Sequence, residues 1–308
     1  MSDNKQKTMT GWYNPFKIIK TGIQVAISEV LGTRSDYRQI ESLAVEQEIF
    51  DKSNQPNNEI WIDYIADTGD GWNSTYSVAY LLAKKSLKFP GLYEDELQRG
   101  KILIMGGDEV YPSASREEYK DRLIGPFDTA MERSTAKDLE LFAIPGNHDW
   151  YDGLVSFTRL FCQGRVWGGR NTEQTRSYFA LKLPNNWWLF AVDIQLESDI
   201  DKPQLDYFKR IINKDVQEKD RIIICTPEPD WIFSNIYDKS LENNLAHLEE
   251  IINKKATIPV TLSGDLHHYR RHVDKQGFHK ITAGGGGAFL HPTNGPDVDE
   301  IELGSKDK

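Results

Sequence analysis

The chain contains 308 residues, and its 37 Lys and Arg residues against 47 Asp and Glu residues give a formal net charge of −10 at pH 7. This acidic balance argues against a general nucleic-acid binder, because a phosphate backbone requires a basic protein face. A phosphorylated substrate stays compatible with it, since bound metal ions can invert the local field.

The apolar segments are too short for a membrane span. No stretch approaches the roughly 18 consecutive apolar residues of a transmembrane helix, and residues 1–10 lack the apolar region of a signal peptide. Cys162 and Cys225 lie far apart, and we expect two buried thiols rather than one long-range disulfide. These features predict a cytoplasmic protein.

The first 50 residues are predicted to form a separate segment, with a disordered polar stretch over residues 1–10 followed by one helix. Apolar residues recur at helical spacing over residues 16–31, which indicates an amphipathic helix. We expect its apolar face to pack on the rest of the protein. Peripheral contact with a membrane surface is the alternative.

Strand and helix patterns alternate over residues 58–292, which we predict to be one α/β domain. Strands are predicted at residues 60–65, 101–105, 141–144, 178–183, 187–194, 221–224, 258–262 and 280–283. Helices are predicted at residues 74–87, 115–133, 203–219 and 241–254. Pro184-Asn185-Asn186 predicts a hairpin that interrupts the alternation, so we expect a sheet doubled into a sandwich. Residues 293–308 are predicted to be a polar tail.

Five polar segments follow predicted strands, and each offers side chains that bind metal ions. They are Ala66-Asp67-Thr68-Gly69, Gly107-Asp108-Glu109-Val110-Tyr111, Gly146-Asn147-His148-Asp149, Cys225-Thr226-Pro227-Glu228 and Gly264-Asp265-Leu266-His267. In an open α/β sheet, ligands bind beyond the carboxyl ends of the strands. The segments therefore predict a dinuclear metal site at one edge of the fold.

The same segments resemble, in order and over about residues 60–290, the motifs of the calcineurin-like metallophosphoesterase superfamily: Asp-x-Gly, Gly-Asp-x-x-Tyr, Gly-Asn-His-Asp and Gly-x-x-His. The resemblance implies an α/β/β/α sandwich with metal ligands on loops at the carboxyl ends of strands. It also implies a hydrolase: a metal-dependent phosphatase that cleaves phosphate esters with a metal-bound hydroxide at a dinuclear centre.

The first metal site resembles that of purple acid phosphatases. Most relatives have a histidine where this chain has Gly69, and Tyr111 stands where purple acid phosphatases place a tyrosinate ligand to ferric iron. The resemblance implies four ligands for the first metal, which are Asp67, Asp108, Tyr111 and His267. Two carboxylates and a phenolate are hard anionic ligands, and such ligands favour iron.

The second metal site departs from the family pattern at two histidines. The bridging Asp108 and Asn147 are present, but Asp265 replaces the first histidine of the last motif. No histidine follows the fourth strand, where Glu228 is the best substitute, with Cys225 behind it. Carboxylates in place of imidazoles shift the preference from Zn toward Mn, Mg or Fe. An empty or weakly occupied second site is the alternative.

The resemblance assigns His148 to transition-state stabilisation or to protonation of the leaving group, and Asp149 to the orientation of the imidazole. Asp70 and Asn73 flank the first motif at a predicted helix N-terminus, where backbone N–H groups favour anions. The glycines at 284–287 are expected to let the chain pass close to the metal-site loops.

Two alternatives to a phosphomonoesterase stay open, and each would bind a phosphorylated compound. The first is a phosphodiesterase of the same fold, because a doubly charged monoester would require more cationic contacts. Only Arg270 and Arg271 are nearby candidates for such contacts. The second is a non-catalytic binding or regulatory module with a degraded second metal site.

Overall fold

A computed structural model gives the structure of the protein and describes residues 6–16, 19–23, 26, 49–91, 94–131, 138–194, 196, 199–237 and 243–290. The predicted tail over residues 293–308 lies outside these ranges, as does most of the predicted helix over residues 16–31. The described part of that helix is helical, but Phe16, Ile19 and Ile23 are exposed. The expectation that this face packs on the rest of the protein is therefore wrong for these three residues.

The strands of the described residues fall into two sheets and one short ribbon. They are β1 (Phe50–Asp51), β2 (Ile62–Ile65), β3 (Ser86–Leu87), β4 (Leu97–Gln98), β5 (Ile102–Met105), β6 (Glu140–Ala143), β7 (Val166–Trp167), β8 (Arg170–Thr172), β9 (Phe179–Leu183), β10 (Trp187–Ala191), β11 (Arg221–Thr226), β12 (Thr257–Ser263), β13 (Tyr269–Val273) and β14 (His279–Ala283). The larger sheet has the order β1-β9-β10-β11-β12-β14-β13, and the smaller sheet has the order β2-β5-β6-β8-β7. The ribbon pairs β3 with β4.

The strands that precede the polar segments run parallel within each sheet. In the smaller sheet, Ile65 at the end of β2 pairs with Met105 of β5, which pairs with Ala143 of β6. In the larger sheet, β11 and β12 are parallel neighbours, and Thr226 pairs with Ser263 at their carboxyl ends. In each sheet, the polar segments therefore follow the carboxyl ends of parallel strands on the same side of the sheet, as the sequence predicts.

The predicted hairpin is confirmed between β9 and β10, which pair antiparallel with Leu183 opposite Trp187. Asn185 and Asn186 in its turn have φ angles of 58° and 63°. Two successive residues with positive φ are what a type I′ turn requires, and Asn adopts this conformation at low cost.

A layer of apolar side chains separates the two sheets. Ile104 and Phe142 of the smaller sheet pack in it against Phe179 and Leu189 of the larger sheet. The alternate residue Leu103 belongs instead to a second core cluster on the outer face of the smaller sheet. Because successive residues on a strand point to opposite faces, burial on both faces produces the near-continuous apolar runs of the sequence.

Helices cover both outer faces of the sandwich. They are α1 (Trp72–Ala83), α2 (Arg116–Glu118), a π-helical segment (Tyr119–Ile124), α3 (Gly125–Ala130), α4 (Asn147–Trp150), α5 (Val155–Phe161), α6 (Lys202–Lys214), α7 (Asp230–Tyr237) and α8 (Asn244–Asn253). Side chains of α1, α3 and α5 pack on the smaller sheet, and those of α6 and α8 pack on the larger sheet. The predicted α/β/β/α sandwich is thereby confirmed.

The division into residues 1–50, 58–292 and 293–308 stays a prediction. Two parts of the first segment nevertheless pack on the sandwich, since Phe50 is buried and pairs with Leu181, and Thr10 is buried as well. Among the helices that the structure describes, none combines the length and the apolar character that crossing a membrane requires.

Candidate metal centre

Four predicted ligands have left-handed backbone conformations. The φ angles are 60° at Asp67, 54° at Asp108, 74° at Asp265 and 49° at His267. Non-glycine residues are uncommon in this region, and such strained positions concentrate at functional sites. The backbone thus supports a functional role for the loops that follow β2, β5 and β12.

The phenol group of Tyr111 joins three of the predicted ligands. Its oxygen lies 3.0 Å from Oδ1 of Asp67, 3.1 Å from Oδ2 of Asp108 and 2.8 Å from Nε2 of His267. All four side chains are buried. The loops after β5 and β12 thereby bring a phenol and an imidazole together although they belong to different sheets.

The separations of these atoms fit a coordination shell that includes the phenol. Among the described residues, no group of three or more His, Cys, Asp and Glu side chains is arranged to hold a metal ion by itself. With metal–oxygen distances of about 2.1 Å, neighbouring ligand atoms of an octahedral site lie about 3.0 Å apart. The three contacts of Tyr111, at 2.8–3.1 Å, match that spacing. The donor set therefore fits a hard cation with Tyr111 as a ligand.

The tautomer of His267 also fits a metal ligand. Its Nδ1 donates a hydrogen bond to the carbonyl oxygen of Phe289 at 2.5 Å. Because Nδ1 carries the proton, Nε2 keeps its lone pair and faces the Tyr111 hydroxyl. Metal-binding histidines commonly donate their second ring N–H to a carbonyl or a carboxylate in this way.

Glycines allow the close approach of the loops around Asp67. A Cβ atom on Gly284 would lie 2.3 Å from Oδ2 of Asp67, and one on Gly286 would lie 2.2 Å from the carbonyl oxygen of Ala66. The expectation for residues 284–287 is thus confirmed for Gly284 and Gly286. Gly69 has a φ of 58°, and a Cβ atom there would lie 2.2 Å from a backbone oxygen of the neighbouring loop, which excludes a side chain such as histidine.

Buried negative charge dominates the electrostatics of the site. Burial, followed by the charges of Asp108 and Asp265, raises the pKa of Asp67 well above its usual value. Burial and the charges of Asp108 and Asp67 likewise raise the pKa of Tyr111. A bound cation would reverse both shifts, because it stabilises the ionised forms. The site is therefore electrostatically suited to bind cations.

The predicted second half of the site is partly assembled. The backbone N–H of Asp265 donates to Oδ2 of Asp67 at 3.0 Å. Burial, followed by the charges of Asp108 and Glu228, raises the pKa of Asp265 to about 8. Asn147 is exposed, and its Nδ2 donates to the hydroxyl of Tyr151 at 3.1 Å. Cys225 packs in the core between the sheets, and burial raises the pKa of its thiol.

His148 is tied to the first half of the site through its backbone. Its N–H donates to Oδ1 of Asp108 at 2.9 Å, and its ring lies 4.4 Å from that of Tyr111. Its Nδ1 donates to the carbonyl oxygen of Pro112 at 2.7 Å. This carbonyl group orients the imidazole and leaves Nε2 for other partners.

The predicted role of Asp149 in orienting the His148 ring is wrong. The carboxylate of Asp149 accepts from the backbone N–H groups of Gly146 at 2.9 Å and Glu109 at 3.1 Å, and from the hydroxyl of Tyr119. Burial, followed by the charge of Asp108, raises its pKa to about 8. Asp149 therefore fixes the two ligand loops to each other rather than the histidine ring.

Glu109 is a buried acid that the sequence analysis does not single out. Its Oε1 accepts from the N–H of Gly107 at 3.1 Å. Burial, followed by the charge of Asp149, raises its pKa well above the usual value. The carboxylate of Glu109, like that of Asp149, thus holds the turn that carries Asp108. In the sequence, the only indication of this role is that Glu109 directly follows Asp108.

Asp70 contacts chain segments that are remote in sequence rather than a helix N-terminus. Helix α1 begins at Trp72, with Gly71 as its cap. The buried carboxylate of Asp70 accepts from the N–H groups of Thr10 and Phe289 at 2.8 and 3.2 Å. Asn73 is exposed and lies one residue inside the helix.

Trp12 and Phe289 complete an aromatic wall beside the site that the sequence analysis misses. Their ring centroids lie 4.7 Å apart, and the Trp12 ring lies 6.0 Å from the rings of both Tyr111 and His148. No motif spacing points to Trp12, because 99 residues separate it from Tyr111. Only the aromatic clustering of residues 12–16 singles out this stretch of sequence.

Arg270 and Arg271 lie on the edge strand β13 of the larger sheet. Nε of Arg271 donates to Nδ1 of His279 at 3.1 Å, and its side chain is exposed. Within the described ranges, no Lys or Arg side chain forms an ion pair with the carboxylates of Asp67, Asp108 or Asp265.

Comparison with known proteins finds remote structural likenesses only. No family model matches the chain, and no curated protein matches it either. A solved structure similar to this chain is that of a dimetal phosphatase from Danio rerio, with 12% sequence identity and a TM-score of 0.42. The similarity covers 72% of this chain and 87% of the other.

Proposed function

We propose that the protein is a metal-dependent phosphoesterase that hydrolyses phosphate esters at a dinuclear centre, with residues 58–292 as its catalytic domain. The observation that carries the proposal is the Tyr111 oxygen, which lies 2.8–3.1 Å from ligand atoms of Asp67, Asp108 and His267. Bound metal ions would supply an activated water molecule at neutral pH and neutralise the charge on phosphoryl oxygens.

The first ion would be held by Asp67, Asp108, Tyr111 and His267. The proton on Nδ1 of His267 leaves Nε2 as the donor atom, and the carbonyl of Phe289 fixes the ring. Because two carboxylates and a phenolate are hard anionic ligands, we assign iron to this position.

The second ion would share Asp108 and use the remaining oxygen donors, which are Asn147, Asp265 and Glu228. The hydrogen bond from the N–H of Asp265 to Asp67 supports this set, and so do the charges of Asp108 and Glu228, which help to raise the pKa of Asp265. Oxygen donors accept Mn, Mg or Fe, and Zn also binds carboxylates. Asn147 would bind the ion through Oδ1, which lets Nδ2 keep its hydrogen bond to the hydroxyl of Tyr151.

His148 would act on the leaving group. Its backbone N–H is fixed by Asp108 and its Nδ1 by Pro112, so the ring is held beside the centre before substrate binds. A positioned imidazole can protonate a departing alkoxide or stabilise the charge that develops on it. Asp149 would act through the loops that it joins, as a positioning residue.

A phosphodiesterase is the second candidate within the same chemistry. Arg270 and Arg271, the two nearby arginines, lie on the edge strand β13, where Arg271 donates to His279, and this placement favours it. A diester carries one negative charge on its phosphate, whereas a monoester carries two and gains more from cationic side chains.

The experiment combines metal analysis with hydrolysis of 4-nitrophenyl phosphate and bis(4-nitrophenyl) phosphate. We expect about two metal ions per chain and hydrolysis of at least one ester. Asp108→Ala should lower the rate more than about 100-fold, because the carboxylate serves both ions. Asp95→Ala, on an exposed turn, is the matched control.

The outcomes separate the enzyme from the binding module. Activity of Asp108→Ala close to that of the wild type contradicts the dinuclear model. One ion or none per chain, together with binding of inorganic phosphate and no hydrolysis, supports the non-catalytic alternative. The ratio of the two ester rates decides between monoesterase and diesterase.

A further inference from the structure

An N-terminal strap, defined as residues 7–12, packs beside the candidate metal centre. The carbonyl oxygen of Lys7 accepts from the N–H of Trp72 at 3.0 Å, and that of Thr8 accepts from Nη1 of Arg122 at 2.9 Å. These contacts join the strap to α1 and to the π-helical segment on the outer face of the smaller sheet. The strap is therefore part of the folded structure, although it lies more than 50 residues before the first motif.

The buried carboxylate of Asp70 anchors the end of the strap. Its Oδ1 accepts from the N–H of Thr10 at 2.8 Å, and its Oδ2 accepts from Nε1 of Trp12 at 3.3 Å and from the N–H of Phe289 at 3.2 Å. One side chain thus holds two aromatic residues from opposite ends of the described chain. Asp70 lies three residues after Asp67, in the loop that follows β2. It therefore links Trp12 and Phe289 to the loop that carries the predicted ligand Asp67.

The indole of Trp12 lies next to residues of the site. Its ring centroid is 4.7 Å from that of Phe289 and 6.0 Å from those of Tyr111 and His148, which is the range of favourable aromatic contacts. The side chain is half-buried, so part of the indole is accessible. The ring centroid of Tyr151 also lies near His148, at 5.0 Å from the centroid of the imidazole.

We propose that Trp12 is a specificity-determining residue of this site, whose indole contacts the leaving group, and that the substrate is a phosphate ester of a flat aromatic alcohol. The inference rests on the proposed function, which places the leaving group beside His148. A ring held there would gain contact with Trp12 and Phe289, and a small alkyl group offers less surface for such a contact. Hydrolysis then transfers the phosphoryl group to water, and the aromatic alcohol leaves with a proton.

Binding of two phosphonates tests the proposal without requiring turnover. Phenylphosphonate and methylphosphonate carry the same charged group, and only the first has a ring. Calorimetry with the Mn²⁺-loaded protein should show about 10-fold tighter binding of phenylphosphonate, since an aromatic contact is worth up to about tenfold in affinity. Trp12→Ala should lower the ratio of the two affinities toward one, leaving only what Phe289 contributes, and Trp12→Phe should retain most of the preference.

Tyr13→Ala is the matched control, because Tyr13 belongs to the same stretch of chain and is 99% exposed. Its affinity ratio should equal that of the wild type. Thermal unfolding of each variant separates a lost contact from a lost fold, and Trp12→Phe keeps the test decisive if Trp12→Ala does not fold. An unchanged ratio in a folded Trp12→Ala or no preference in the wild type overturns the proposal, and so does failure of the wild type to bind either phosphonate.

Hydrolysis of 4-nitrophenyl phosphate distinguishes this inference from the proposed function. A phenyl preference that depends on Trp12, without hydrolysis by the wild type, supports the aromatic contact and overturns the enzyme. Hydrolysis with a phenyl preference that survives in Trp12→Ala supports the enzyme and overturns the role of Trp12.

Discussion

The phenol oxygen of Tyr111 lies 2.8 Å from Nε2 of His267, although 156 residues separate them in the chain. Tyr111 follows β5 of the smaller sheet, and His267 follows β12 of the larger sheet. Their contact therefore depends on the packing of the two sheets and on the length of both strands. The candidate metal centre is a junction between the sheets, and its ligands also link the two halves of the fold.

We expect Tyr111→Phe to weaken binding of the first metal ion by at least about 10-fold, because it removes the oxygen that contacts three other ligands. Any visible charge-transfer band that the purified wild type shows should be absent from the spectrum of Tyr111→Phe. Metal analysis after dialysis and absorption spectroscopy measure the two effects.

Tyr269→Phe is a suitable control, because this tyrosine is 67% exposed on the edge strand. Its metal content and spectrum should equal those of the wild type. A wild-type protein that binds ferric iron without any charge-transfer band would show that Tyr111 is not a tyrosinate ligand.

The sequence predicts the central strands well because they are buried on both faces. The strand predicted at residues 101–105 is observed at Ile102–Met105, all of whose side chains are fully buried. The strands β7 and β8 span two and three residues. Strands this short are not detectable from the alternation of apolar and polar residues. The pairing of β8 with β6 and of β7 with β8 depends on tertiary contacts.

Helix ends are predicted less well than helix cores. The helix predicted over residues 74–87 ends at Ala83, because Ser86–Leu87 pairs with Leu97–Gln98 in a separate ribbon. This pairing joins residues that are remote in the sequence. No capping glycine or proline follows Ala83 directly to indicate that the helix ends there. The helix predicted over residues 203–219 likewise ends early, at Lys214.

Local motifs identify the ligands that follow strands, but they do not identify the residues that position them. The partner of the His148 ring is the backbone carbonyl of Pro112, and a carbonyl group has no residue-type signature. Trp12 reaches the site through Asp70, which lies 58 residues further along the chain. Such contacts depend on how the strap crosses the fold, which sequence spacing does not encode.

Gly284→Ala should destabilise the protein and weaken metal binding, because the new methyl group would lie 2.3 Å from Oδ2 of Asp67 and 2.7 Å from the backbone nitrogen of His267. Overpacking of this kind costs about 1–3 kcal/mol of unfolding free energy. Urea denaturation and metal titration measure both effects.

Gly285→Ala provides a neighbouring control, since a Cβ atom there would meet no atom within 4 Å. Its stability and its metal affinity should stay close to the wild-type values. Equal behaviour of the two variants would show that the approach of residue 284 to Asp67 does not govern the site.

The strap should loosen in acid through Glu118. Burial raises the pKa of this carboxyl, but hydrogen bonds and charges from Lys7 and Arg122 outweigh it and hold the pKa below the usual value of 4.5. A carboxyl with a lowered pKa stabilises the folded state above its unfolded-state pKa, and this contribution is lost as the pH falls through the folded-state pKa. The protection of the amides of residues 7–12 against hydrogen exchange, measured relative to the intrinsic rate at each pH, should therefore fall below about pH 4.5.

In Glu118→Gln these amides should be less protected than in the wild type at neutral pH, and their protection should no longer fall in acid. Glu117→Gln serves as control, because its side chain is 77% exposed and lies 3.5 Å from the same lysine. If both variants keep the wild-type pH profile, another group holds the strap.

His148→Ala should slow hydrolysis most for esters whose alcohols are poor leaving groups. General acid catalysis contributes about 100- to 10,000-fold, and a poor leaving group needs the proton more than 4-nitrophenolate does. Rates for a series of substituted phenyl phosphates should therefore depend more steeply on the leaving-group pKa in the variant than in the wild type. His247→Ala, at a half-exposed position on α8, should leave the slope unchanged. If His148→Ala instead lowers the rate by the same factor for every ester, His148 positions the phosphate. A group that only orients the substrate affects all esters equally, because its effect does not depend on the pKa of the leaving alcohol.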